Sequence, residues 1–139
     1  MIRPATFGDW PDIATWRNRH FEALGVREVT GQAGLCDAAW LVYERRGQPV
    51  AAIAFRDDAE RRVRHVTDLY GAPGHALAGE ALGAYVEGMS DFDGYEIVGS
   101  TDPGNAKYLE LLLTRGYEVT AIHFRRKSKK GAPHGSVVG

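Results

Sequence analysis

Apolar and polar positions along this chain change their spacing several times, and each change marks an element. Residues 2–6 read as a short first strand. Asp9 stands ahead of Trp10-Pro11 and supplies a helix cap with proline in the first turn. Ile13, Trp16, His20 and Leu24 then recur at helical spacing, which predicts a helix with one buried stripe and with Arg17, Asn18 and Arg19 mostly off it. Residues 25–37 hold three glycines without a period and read as a loop. Residues 40–45 and 50–55 are β-rich runs joined by the turn chemistry of Arg46-Gly47-Gln48-Pro49, a hairpin. After a charged loop through Asp57, Asp58 and Glu60, residues 62–70 alternate as a third long strand until Pro73-Gly74 breaks it. Leu82, Tyr85, Val86 and Met89 sit at i, i+3, i+4 and i+7, so residues 76–89 form an amphipathic helix. A turn at 91–94 and a strand at 95–100 follow. Asp102 caps another helix, whose Leu109, Leu112 and Leu113 face the sheet and whose end is Gly116. Residues 117–127 complete the order as a final strand.

Strand, helix, loop, three antiparallel strands, helix, strand, helix, strand is an α+β arrangement: a mixed, mainly antiparallel sheet covered by helices on both faces. A chain of 139 residues with 44% hydrophobic content supports one such domain, residues 1–127, followed by a flexible basic tail over 128–139. The formal charge of -1 gives the body no bias toward nucleic acid or anionic membrane. Arg125-Arg126-Lys127-Ser128-Lys129-Lys130 offers local attraction to nucleic acid, but Phe124 is its one aromatic and the run reads as a solvated end. The single cysteine, Cys36, excludes an internal disulfide and suits a reducing cytosol as a small packed side chain. The opening Met1-Ile2-Arg3-Pro4 has no apolar leader segment, so the expected location is cytoplasmic with no membrane partner. No set of His, Cys, Asp and Glu has metal-ligand spacing. Dimerisation stays open.

The stretch Asn105-Ala106-Lys107-Tyr108-Leu109-Glu110-Leu111-Leu112-Leu113-Thr114-Arg115-Gly116-Tyr117 carries the family signal. Written as N-x-x-(small or aromatic)-x-x-L-x-x-x-x-G-(F/Y), it resembles the last helix-to-strand unit of the GNAT acyltransferase superfamily, and the element order matches that family over residues 1–127. The resemblance implies an N-acyltransferase, foremost an N-acetyltransferase, that moves acetyl from acetyl-CoA, or another acyl from its CoA ester, directly to an amine. It implies a small-molecule or peptide amine as acceptor, framed by the 25–37 loop, and no metal. The alternative is a GNAT-like module that binds or assembles without turnover.

Coenzyme A carries a pyrophosphate, and backbone N–H groups leading into a helix N-terminus suit such an anion. The family supplies them with Q/R-x-x-G-x-G/A after the fourth strand. Here the matching run is Tyr70-Gly71-Ala72-Pro73-Gly74-His75-Ala76, continuing through Leu77-Ala78-Gly79-Glu80-Ala81-Leu82. Two registers fit: Gly74-His75-Ala76 as the G-x-A element with Gly71 in the Gln/Arg place, or Gly79-Glu80-Ala81 with Ala76 there. The first leaves the following helix its ordinary length and is preferred. It makes Tyr70, Gly71, Gly74, His75 and Ala76 the cofactor residues; Asn105, at the entry of the last helix, resembles the asparagine that contacts the pantetheine arm in that family, a role compatible with plain N-terminal capping. Gly74→Glu is then expected to abolish cofactor binding with the fold intact. Asp68, near the end of the third long strand, is the candidate general base, with His65 beside it as a sheet-surface or packed histidine. The family's tyrosine acid falls at Leu112, so Tyr108 and Tyr70 are the candidates to replace it.

Overall fold

The computed structural model describes residues 1–23, 38–101, 106–122, 126 and 128. The chain divides into two compact units, Met1–Gly104 and Asn105–Gly139. In the first, β1 (Ile2–Pro4) leads through a 3₁₀ turn (Phe7–Asp9) into α1 (Trp10–Ala23). Then come β2 (Ala39–Arg45), β3 (Gln48–Asp58), β4 (Val63–Gly71), α2 (Ala76–Asp93) and β5 (Glu96–Gly99). The strands form one sheet in chain order, antiparallel except for the parallel pair β4 and β5, which α2 connects.

β3 is the centre of this sheet, and residues 50–55 are all buried because a helix covers each face. Toward α1, Ala52 and Ala54 pack with Trp40, Val42, Tyr70, Ile13 and Trp16. Toward α2, Ala51, Ile53 and Phe55 pack with Ala78, Leu82 and Val86. The alanines let both helices approach the strand closely. The β2–β3 turn places Arg46 at φ 54° and Gly47 at φ 77°, the two positive values whose twist matches that of the strands they join.

Several sequence expectations move at their edges, each for a physical reason. The charged segment after Phe55 is strand up to Asp58, since Asp57 lies opposite Arg64 and accepts two bonds from its guanidinium, at 2.7 and 2.8 Å. α2 runs past residue 89 to Asp93, because Ser90 is buried and its hydroxyl donates to the Val86 carbonyl at 2.7 Å. Gly94 closes it at φ 74°. Leu24, the last member of the predicted α1 stripe, and the 25–37 loop lie outside the described residues.

Asp9 also has a different job. It closes the 3₁₀ turn rather than capping α1: its carboxylate accepts from the Thr6 N–H at 2.7 Å and from the Arg3 guanidinium at 2.7 and 3.0 Å. These bonds hold its pKa down from 3.8 to about 2 although the residue is only 4% exposed, the Arg3 bond being the largest cause. A depressed carboxyl stabilises the fold fully above its unfolded pKa and loses that contribution as pH falls through its folded one. Denaturant midpoints should therefore drop by about 2 kcal/mol of stability between pH 5 and pH 2 on account of this group. Asp9→Asn should start lower and flatten that part of the pH profile, as read by urea unfolding.

The second unit contains α3 (Ala106–Thr114). Gly116, at φ 92°, ends it as the sequence predicts, with Tyr117 N–H donating back to Leu112 O at 3.1 Å. The expected buried stripe is not found. No residue of α3 is buried, and Leu109 and Leu113 are 36% and 49% exposed. Nor do residues 117–122 form the predicted strand; Val119 and Ile122 are exposed. Aromatic and β-branched residues favour a strand only where a ladder partner and a packed face exist, and the described residues give this segment neither. Asp102, Asn105 and residues 129–139 lie outside the described set.

Candidate functional site

The parallel pairing of β4 and β5 stops halfway along β4. Val63, Arg64, His65 and Val66 face Glu96, Ile97, Val98 and Gly99, and beyond that rung β4 continues to Gly71 while β5 has ended. The two strands thus make a fork, closed at Val63/Glu96 and open past Val66/Gly99. Gly99 permits the last rung: a Cβ there would lie 3.3 Å from the Val66 carbonyl oxygen. The open side is a cleft of about 410 Å³ lined by His65, Val66, Thr67, Val98, Gly99 and Ser100. Along it, the edge of β4 has no strand beside it among the described residues.

A bulge aims the side chains here. Ala54 pairs with Asp68 and Phe55 with Val66, leaving Thr67 as the extra residue of β4. Val66 consequently packs with the α2 cluster, whereas Asp68, two residues later, turns to the α1 side. Regular alternation would have put both on one face. The sequence carries a faint mark of this: apolar Val66 and Leu69 are three apart rather than two.

At the far end of β4, Gly71-Ala72-Pro73-Gly74-His75 turns into α2. Ala72 N–H donates to Val50 O at 2.9 Å and His75 N–H to Ala72 O at 3.1 Å, while Ala78 and Gly79 N–H both turn to His75 O. The N–H groups of Gly74, Ala76 and Leu77 have no backbone acceptor among the described residues, as the first turn of a helix requires. Gly74 holds φ 84° with no atom within 4 Å of where a side chain would start. His75 gives no side-chain cap, and its buried Nδ1 has no hydrogen-bond partner among the described residues. Gly74, His75 and Ala76 therefore flank the helix start, whereas Gly79, Glu80 and Ala81 lie inside α2, where Gly79 packs on Leu69.

Asp68 and Tyr70 share the α1 face of β4. The Tyr70 hydroxyl donates to Asp68 Oδ1 at 2.6 Å, and its ring, 8% exposed, stands 5.4 Å from that of His20 on α1. Burial first and the carboxylate second push the Tyr70 hydroxyl well above the ordinary tyrosine range, with Arg17 acting weakly in the opposite direction. The phenol stays protonated at neutral pH and holds the carboxylate in place.

Asp68, Tyr70, Gly71, Gly74, His75 and Ala76 thus follow one another along the open edge of the fork and the turn beyond it, with His65 lining the cleft. Tyr108 is half-buried on α3 in the second unit, and Asn105 falls outside the described residues. Thr67, Gly99, Arg17 and His20 belong to the site as well and were not visible as such in the sequence.

No protein-family model and no curated protein matches this sequence. Solved structures do. A ribosomal-protein-alanine N-acetyltransferase from Brucella melitensis is 20% identical over 85% of this chain and 84% of its own, with a TM-score of 0.69. The aminoglycoside N-acetyltransferase AAC(6')-Iy in complex with CoA is 16% identical over 92% of this chain and 99% of its own, at 0.62. A transcriptional regulator from Bacillus halodurans C-125 is 12% identical over 92% and 99%, at 0.69. At such identities the likeness is one of fold.

Proposed function

We propose, for a chain that carries the fold of the GNAT acetyltransferases, that it moves an acyl group, acetyl foremost, from coenzyme A to an amine. The observation that carries this reading is the fork: a cleft opens between β4 and β5 and continues along a strand edge with no neighbouring strand among the described residues, toward amides at the start of α2 that have no backbone acceptor among them. A phosphate-bearing thioester suits that path. The N–H groups of Gly74, Ala76 and Leu77 offer donors to its pyrophosphate, Gly74 leaves the space a side chain would fill, and the β4 edge offers amides and carbonyls to its pantetheine arm.

Transfer needs the amine nitrogen to attack the thioester carbonyl carbon, the C–S bond to break and one proton to leave the amine. Asp68, beside the bulge, takes that proton in this reading, and Tyr70 orients it. A thiol is a good leaving group, a cysteine side chain titrating at about 8.5, so the thiolate departs without a strong acid, and the proton collected by Asp68 is returned to it through water. A leucine at position 112 is then no obstacle.

Asp68→Asn should lower kcat by about 10²-fold or more while leaving acetyl-CoA affinity unchanged, since it removes the base and keeps the shape. Calorimetric titration with acetyl-CoA, followed by thiol release across a panel of amines, tests the whole reading. Binding without release from any amine would favour a cofactor-binding module. That alternative draws on Gly71, which stands where the family carries a long polar side chain, and on the neighbour described as a regulator.

A further inference from the structure

We propose that the outer face of α2 joins two copies of this chain, packed antiparallel with Tyr85 of each seated among the small residues of the other. Ala78, Leu82, Val86 and Ser90 are buried and hold α2 on the sheet. Away from the sheet the helix does not turn polar, as a solvated surface would. Leu77 is 76% exposed, Tyr85 48% and Phe92 92%. With half-buried Ala81 and exposed Ala84 and Gly88 they form one apolar stripe, about 100° wide at 3.6 residues per turn.

The stripe is complementary to itself. Laid antiparallel, Leu77 meets Phe92 of the second copy, Ala81 meets Gly88 and Ala84 meets Tyr85, each pair occurring twice about a two-fold axis, as an isologous interface requires. Ala81, Ala84, Tyr85 and Gly88 stand at i, i+3, i+4 and i+7, the outline of a hole that takes one knob from a facing helix, and Tyr85 of the second copy is that knob. Gly88 suits the hole: a glycine weakens a helix interior, and among the described residues nothing beyond its own helix lies within 4 Å of where its Cβ would be. With a fully covered aromatic worth about 150–250 Å², the exposed parts of this face give roughly 500 Å² per copy, about 1,000 Å² in all, the size of a specific but weak dimer. A membrane fits worse, because α2 has no Lys or Arg for anionic headgroups and exposed Glu80 and Asp91 lie beside the stripe. Those acids leave the seam uncharged but share one flank in the two copies, so salt should tighten the pair.

Sedimentation equilibrium of the full chain tests this. It should show a monomer–dimer equilibrium with a Kd of about 1–100 μM that tightens from low to high salt. Phe92→Asp puts a charge in the seam and Gly88→Leu fills the hole; each should weaken the dimer at least tenfold while circular dichroism and the thermal midpoint show the fold kept. Gly88→Leu is the sharper variant, since it adds apolar surface: indiscriminate hydrophobic association would grow stronger, whereas a packed seam is pushed apart. A chain that stays monomeric up to millimolar concentration would overturn the proposal. So would a dimer that Phe92→Asp leaves intact, one that Gly88→Leu tightens, or one that salt dissolves.

Discussion

Replacing Ala76 with glutamate should weaken acetyl-CoA binding at least tenfold, or about 1.4 kcal/mol, with the thermal midpoint unchanged or slightly raised. The two halves of this expectation come from one geometry. Ala76 is the first residue of α2, exposed, and its own N–H and that of Leu77 lack backbone acceptors among the described residues. A carboxylate in a helix's first turn stabilises the helix by roughly 0.3–1 kcal/mol, because it meets the positive end of the helix dipole. The same dipole end is what the pyrophosphate would occupy, so the new charge repels it and competes for its donors. A variant that binds CoA less while folding as well or better separates the two effects cleanly. Gly74→Glu, the equivalent that sequence alone suggests, does not. Gly74 sits at φ 84°, where any L side chain is strained by about 1–3 kcal/mol, so that variant loses stability as well as affinity and mixes the two effects. Unchanged acetyl-CoA affinity in Ala76→Glu, measured by calorimetry, would mean the phosphates lie elsewhere.

The alternation of residues 62–70 and the i, i+3, i+4 run in α2 were enough to place β4, the turn and the helix in order, because each is a local pattern that burial merely confirms. The hairpin was equally plain from Arg46-Gly47. What local pattern could not supply was the consequence of pairing between distant segments. The bulge at Thr67 exists only as a register between β3 and β4, and the fork exists only because β5 stops at Gly99 while β4 continues. Asp68 could be named as a candidate, yet its bond to Tyr70 depends on that bulge turning it to the α1 side. The misjudged parts share the converse cause. Residues 117–122 and the leucines of α3 have the composition of a strand and a packed stripe, but composition reports what a segment would do given a partner. Asp57 and Asp93 looked like solvated turn residues because their partner, Arg64, is itself a charged side chain buried in a strand, seven residues from Asp57 but opposite it only through the β3–β4 register, and 29 residues from Asp93.

Arg64→Ala should cost about 3 kcal/mol of folding stability, a large share of the roughly 5–15 kcal/mol that holds a domain of this size together. The Arg64 side chain is 3% exposed. It donates to Asp57 at 2.7 and 2.8 Å, to Ser90 Oγ at 3.1 Å and to Asp93 at 3.2 Å, and its guanidinium stands over the rings of Phe55 at 5.2 Å and Tyr95 at 4.8 Å. One residue therefore joins β3, β4, the end of α2 and the approach to β5. Truncation leaves a cavity and strands the Ser90 hydroxyl's partner position, while Asp57 and Asp93, with side chains 36% and 38% exposed, can rehydrate; this places the loss at the lower end of the 3–5 kcal/mol found for broken buried pairs. Arg64→Met, which keeps the apolar stem between the two rings, should lose less, and urea unfolding of both variants checks the order. The same contacts pin the closed end of the fork at the rung Arg64 makes with Ile97. Once Tyr95 loses its cation, β5 keeps its four-residue ladder, the packing of Ile97 and the Tyr95 N–H bond to Ser90 O but loses the side chain that ties them to β3, so amide exchange across Glu96–Gly99 should quicken more than exchange in β2, and acetyl-CoA affinity should fall even where Arg64→Met remains folded. Exchange that rises uniformly over the sheet, with cofactor affinity intact, would show that Arg64 stabilises the fold without setting the fork.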